Sequence, residues 1–140
     1  MKKIIWIIVV ILVLSVAIFG FYKSNQNKKI ISPEKVSVQN INIKAGDLVK
    51  SPLEISGDAL GTWYFEASFP IKIYDANGNM LGSIPAQAES DWMTENFVPF
   101  KALLYFATST TDSGTLVLEK DNPSGLPQNA GEIKIPIRFR

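Results

Sequence analysis

The side chains best placed for chemistry are three carboxylates, Glu89, Asp91 and Glu95, grouped around Trp92. Two carboxyl groups beside an aromatic ring are what a glycoside-cleaving site uses, one as acid and the other as base or nucleophile. Loop acids also cap turns by accepting main-chain N–H bonds, and that is the role expected of these three. Asp112 and the pair Asp121-Asn122 offer oxygen ligands of the kind calcium takes, but their spacing matches no calcium loop, so they too read as turn residues. The chain has no histidine and no cysteine. That removes Ser-His-Asp and Cys-His nucleophile systems and the ordinary zinc sites, and no glycine-rich phosphate loop is present. The sequence thus predicts no catalytic residue, no metal site and no cofactor.

Aromatic side chains are the other candidates. Tyr64, Tyr74 and Tyr105 fall on the strand parity opposite the expected core, and Trp92 lies in a loop. These four residues form the expected binding surface, a stacking site for a glycan or a protein edge, since exposed rings call for cover. The structural alternative has Trp92 folding over one end of the core and the tyrosines padding strand surfaces.

Strands must position these groups, because alternation with period two dominates the second half of the chain. Ile133, Ile135, Ile137 and Phe139 interleave with Glu132, Lys134, Pro136 and Arg138, which predicts a half-buried strand, with Pro136 marking an edge or a bulge. From Trp63 to Tyr74 the odd positions are apolar, and Pro70 predicts two strand pieces joined by a kink. Asp75 to Asn79 supplies a turn, and Met80 to Ala88 returns as a strand. Residues 90–95 read as a loop or one helical turn. Val98, Phe100, Ala102, Leu104 and Phe106 form the inward set of the next strand, and Thr115 to Glu119 another. Val36 to Ile43 switches parity near Gln39-Asn40, which implies a bulge, and Leu53 to Ser56 is a further short strand. About seven short strands without a long amphipathic helix predict an all-β, immunoglobulin-like two-sheet sandwich over residues 36–140; a small closed barrel is the alternative.

Ahead of that domain, residues 1–23 read as a membrane anchor and 24–35 as a polar tether. Ile4 to Tyr22 carries no charge, and as a helix it extends about 28 Å, enough to span the hydrocarbon core. A cleavable signal peptide is the alternative, with Lys2-Lys3 as its basic start and Ser15-Val16-Ala17 as its cleavage site. Charge does not decide orientation; a short amino-terminal tail ahead of an uncleaved segment predicts a single-pass protein with its N-terminus in the cytoplasm and its domain outside. Without cysteine the domain has no disulfides and depends on its core. Residues 36–140 hold eight Lys or Arg against twelve Asp or Glu, a net charge of −4 that disfavours nucleic acid as a partner.

Several ordered strings are more specific than periodicity: Ser51-Pro52-Leu53-Glu54-Ile55-Ser56-Gly57, Trp63-Tyr64-Phe65-Glu66-Ala67, Phe69-Pro70, Asp91-Trp92-Met93, Phe97-Val98-Pro99-Phe100 and Asp121-Asn122-Pro123-Ser124-Gly125. Together, from about Val38 to Phe139, they resemble the immunoglobulin-like domain of bacterial spore germination. The resemblance implies an extracytoplasmic bacterial sandwich with no established activity of its own. The sequence reads as an anchor followed by this module, and no companion germination domain is expected in it. The expected function is accordingly a non-catalytic, membrane-anchored interaction module of a bacterial cell envelope. Its expected partners are membrane lipid through residues 4–22 and an envelope protein or glycan met by uncovered strand edges or the aromatic face. Alternatives are a structural subunit of an envelope assembly and, least favoured, a carboxylate-based glycan-acting enzyme.

Overall fold

The computed structural model describes residues 36–140. The expected membrane helix over residues 4–22 and the tether over 24–35 lie outside the described residues; among the described residues no helix is long and apolar enough to cross a membrane. The chain forms β1 (Val38–Gln39), β2 (Leu53–Leu60), β3 (Ser68–Asp75), β4 (Met80–Ala88), β5 (Phe97–Leu104), β6 (Ser113–Glu119) and β7 (Glu132–Arg138). All strand pairs are antiparallel, in the order β1-β2-β5-β4-β3-β6-β7. The seven-stranded all-β domain is as expected and is consistent with an immunoglobulin-like sandwich. Its strands form one continuous sheet because β4 joins β5 through Gln87↔Lys101 and Ala88↔Phe100.

The sheet folds over a single core. Val98, Phe100, Ala102 and Leu104 of β5 are buried, as are Phe69, Ile71 and Ile73 of β3, Leu116 and Leu118 of β6, and Ile135 and Ile137 of β7. Each of the Val, Ile, Leu and Phe side chains among them contributes roughly 1.5–3 kcal/mol through burial. Phe69 is the hinge of an aromatic cluster: Trp63 at 5.9 Å, Tyr64 at 5.1 Å and Phe100 at 5.0 Å all meet it edge-on. The β3–β5 contact of Phe69 with Phe100 joins the two arms of the folded sheet, which is how a chain without disulfides closes its core.

The expected kink at Pro70 does not occur, and β3 runs unbroken from Ser68 to Asp75. Pro70 lies opposite Pro85. Neither has an N–H, so the two occupy a non-hydrogen-bonded site of that ladder, and the nitrogen of Pro70 faces β6 instead. There the β3–β6 ladder ends at Ile71↔Leu118, one residue before Pro70 would have to donate. The chain bends earlier, at Glu66 and Ala67, whose φ angles are 50° and 62°, with Phe65 and Ser68 exchanging main-chain bonds of 2.9 and 3.1 Å across the turn. The parity switch after Gln39 coincides with Asn40 in the left-handed region at φ 53°.

The sheet edges are partly covered. Beyond β1, the Asn42 side chain donates to Glu54 O at 3.0 Å and accepts from Ser56 N at 2.9 Å, acting as one more strand residue along β2. On the other side β7 is the last strand, as Pro136 predicted; Gly46 N donates to Pro136 O and Val49 N to Arg138 O, both at 2.8 Å. The segment 46–49 therefore runs along the carboxyl-terminal half of that edge.

Candidate functional site

The structure separates the four residues expected to form one surface. Tyr64 is 4 % exposed and belongs to the core, where its hydroxyl donates to Val98 O at 2.7 Å. This corrects its expected place on the outer face. Gly61–Trp63 forms a 3-10 turn, so the period-two count through Trp63 and Tyr64 breaks down and the two rings, adjacent in sequence, are both buried. Burial pushes the Tyr64 hydroxyl pKa well up. Trp92 is half-buried and packs against the core from the loop between β4 and β5.

Tyr74 and Tyr105 remain accessible, on different parts of the sheet. Tyr105, 67 % exposed, follows β5 and shares the outward parity of Leu103, which is 48 % exposed. Beside them a shallow crevice of about 600 Å³ is lined by Glu54, Ile84, Pro85, Gln87, Lys101, Ala102 and Leu103. Pro85 opens it. In the register set by Gln87↔Lys101, position 85 falls opposite Leu103, and the nitrogen that faces β5 there has no hydrogen to give. The strands draw together again where Ala107 N donates to Leu81 O at 3.0 Å, in the same register. The result is a seam closed at both ends and open at its middle, with Pro85 and Leu103 as apolar walls.

Tyr74 lies on the outer face of the other arm. Strand register sets out two rows across β3, β6 and β7: Lys72, Val117 and Lys134, then Tyr74, Thr115 and Pro136. Glu119 pairs with Lys72 at 2.6 Å and Glu132 with Lys134 at 2.7 Å. Each carboxylate hydrogen bond holds its lysine above the usual ammonium pKa. Around Tyr74, the residues Thr115, Val117, Glu119, Glu132 and Lys134 form a depression of about 430 Å³, lined also by Asp75, Ala76 and Gly78 of the following turn. Val117 is buried although its parity points outward. The hydroxyls of Tyr74 and Thr115 make no hydrogen bond within the described residues.

Two of the three acids considered for catalysis have structural partners, while Glu95 is exposed and its carboxylate meets no hydrogen-bond or ion-pair partner among the described residues. Glu89 pairs with Lys101 at 3.1 Å, and Asp91 accepts from Met93 N at 3.0 Å in a turn. Asp112 pairs with Arg140, while the Asn122 side chain donates to Leu126 O at 3.0 Å inside its own turn. Among the described residues no three acidic side chains converge as metal ligands would. Asp75, buried behind the β3–β4 turn, accepts from Asn79 Nδ2 at 2.9 Å, Asn79 N at 2.8 Å and Asn77 N at 2.9 Å. The Asn79 side chain, followed by these main-chain bonds, holds its carboxyl below the ordinary value.

Sequence reasoning missed the crevice and the setting of Tyr74. Pro85 within an alternating strand was the available signal for the first; the second required strand register. Comparison with known families finds that the model for the immunoglobulin-like domain of bacterial spore germination matches residues 42–126, more than half of the chain. Comparison with curated proteins and with solved structures gives no match.

Proposed function

The chain belongs to the family of immunoglobulin-like domains of bacterial spore germination, and from that membership and the surfaces described above we propose that it is a non-catalytic interaction module. In this reading residues 4–22 anchor it in the membrane, residues 24–35 form the tether, and a sandwich over residues 36–140 stands outside the cytoplasm in a bacterial envelope. The observation that carries the proposal is the crevice beside the exposed Leu103 and Tyr105, an apolar opening in a seam where Pro85 prevents closure. An opening with apolar walls and a polar rim is the anatomy of a protein contact, and here Gln87, Lys101 and Glu54 supply the rim.

Two measurements test it. Photo-crosslinking of the full-length chain in its native membrane is expected to recover a partner, and the double variant Leu103→Ser, Tyr105→Ser to lose it while thermal stability stays nearly unchanged. Undiminished recovery rejects the crevice as the contact. For the anchor, protease added to intact cells should digest the domain and leave the amino-terminal segment with the membrane; mature protein in the medium beginning near Ile18 would show cleavage instead.

A further inference from the structure

We propose that the depression around Tyr74, on the outer face of β3, β6 and β7, binds an uncharged oligosaccharide. The proposal deepens the reading of the chain as an interaction module by naming a ligand class, at a surface apart from the crevice. A pyranose ring presents C–H groups on its face and, around its rim, hydroxyls that both donate and accept. The depression matches both aspects. Tyr74 supplies an aromatic wall with a hydroxyl that bonds to no other described residue, and Thr115 supplies a second hydroxyl able to donate or accept. Glu119 and Glu132 accept, and Lys134 donates.

Charge selects against other ligands. The lining holds Asp75, Glu119 and Glu132 with Lys134, and Lys72 stands at its border paired to Glu119. A phosphate or nucleic acid would meet carboxylates, and a wholly apolar segment would strip water from two ion pairs. A neutral polyhydroxylated ligand does neither. The pairs Lys72–Glu119 at 2.6 Å and Lys134–Glu132 at 2.7 Å also hold the polar atoms in place beforehand, so binding immobilises fewer free side chains. The volume of about 430 Å³ lies within the range of small-molecule sites.

The test uses the full-length chain in lipid nanodiscs, titrated with the uncharged, fully N-acetylated chitotetraose and followed by amide chemical shifts and calorimetry. Saturable binding is expected, with shifts confined to Tyr74, Thr115, Val117 and Lys134. Tyr74→Ala should weaken it by about tenfold or more, the usual effect of truncating a ring at the centre of a contact. Lys134→Met, at a more exposed position, should weaken it less, and Tyr105→Ser should leave it unchanged. The proposal is overturned by the absence of saturable binding up to about 10 mM, by shifts centred on Leu103 and Tyr105, or by wild-type affinity in Lys134→Met together with a folded Tyr74→Ala. Should Tyr74→Ala not fold, wild-type affinity in Lys134→Met alone overturns it. Crosslinking at the crevice reads the other surface, so either result can fail while the other stands.

Discussion

Replacing Tyr64 by Phe removes one oxygen from the core and leaves the ring packing against Phe69 in place. The lost atom donates to Val98 O at 2.7 Å. Strand pairing of Val98 with Ala59 leaves that carbonyl a second partner, so the variant does not strand a bare acceptor, and its cost should lie in the ordinary range of about 0.5–1.5 kcal/mol. For a domain of this size that lowers Tm by roughly 4–8 °C per kcal/mol. The pH dependence is more diagnostic. Burial raises the Tyr64 pKa, so the unfolded chain, with a value near 10, releases its proton first as the solution becomes alkaline. Stability from this group is therefore complete below about pH 10 and falls above it by about 1.4 kcal/mol per pH unit until the folded form also ionises. Lys72 and Lys134, whose pKa values are raised by their carboxylate partners, lose stability over neighbouring pH with the same sign. They do so equally in both proteins, so the difference between wild type and Tyr64→Phe isolates the tyrosine. Urea unfolding followed by tryptophan fluorescence from pH 7 to pH 11 should show a wild-type advantage that shrinks above about pH 10 and then reverses. Parallel curves across that range would refute the burial argument.

Asp75→Asn should flatten the acid limb of the stability profile: a carboxyl held below its ordinary pKa contributes stability that is present above the unfolded value and lost as pH falls through the folded one, and acid titration of unfolding reads this directly. Gly61→Ala should destabilise the domain by about 1–3 kcal/mol in urea melts, since an added Cβ would overlap the carbonyl oxygens of Trp92 and Thr94, which are main chain and cannot swing aside. Pro85→Val restores a donor opposite Leu103, so the seam should close; hydrogen exchange should find the new amide at position 85 protected, and partner crosslinking at the crevice should drop.

Where a strand is long and one face is buried, residue type reports position well. Val98 to Leu104 alternates cleanly, and so does Ile135 to Ile137, because a slip of one residue would turn every apolar side chain to water. The count fails where the backbone leaves the extended region without a residue that announces it. Glu66 and Ala67 adopt positive φ although neither is glycine or asparagine, and the short 3-10 turn at Gly61–Trp63 carries no capping signal, so parity alone puts Tyr64 on the wrong side. Pro70 misled for a related reason. A proline's effect depends on whether its nitrogen faces a neighbour or a ladder's end, and that is settled by Pro85, fifteen positions away. The two accessible tyrosines were recognisable as outward-facing, but only the register of β3, β6 and β7 shows that Tyr74 sits among paired charges while Tyr105 borders an apolar opening.

Pro85 and Pro136 also bear on how the proposed module would meet a partner. Strand edges are the usual route for a sandwich to recruit an extended peptide, and they carry the usual risk of uncontrolled pairing. Here β2 is lined by β1 and by the amide of Asn42, while half of β7 is lined by residues 46–49. Pro136 removes one donor from what remains of the β7 edge, and the ion pair of Lys134 with Glu132 charges it. Edge addition is thereby restricted, whereas the faces stay open: Pro85 withdraws one donor and exposes apolar walls without freeing a whole strand. The proposed recognition through side chains on the faces accords with that arrangement, and it would leave the core that supports them untouched.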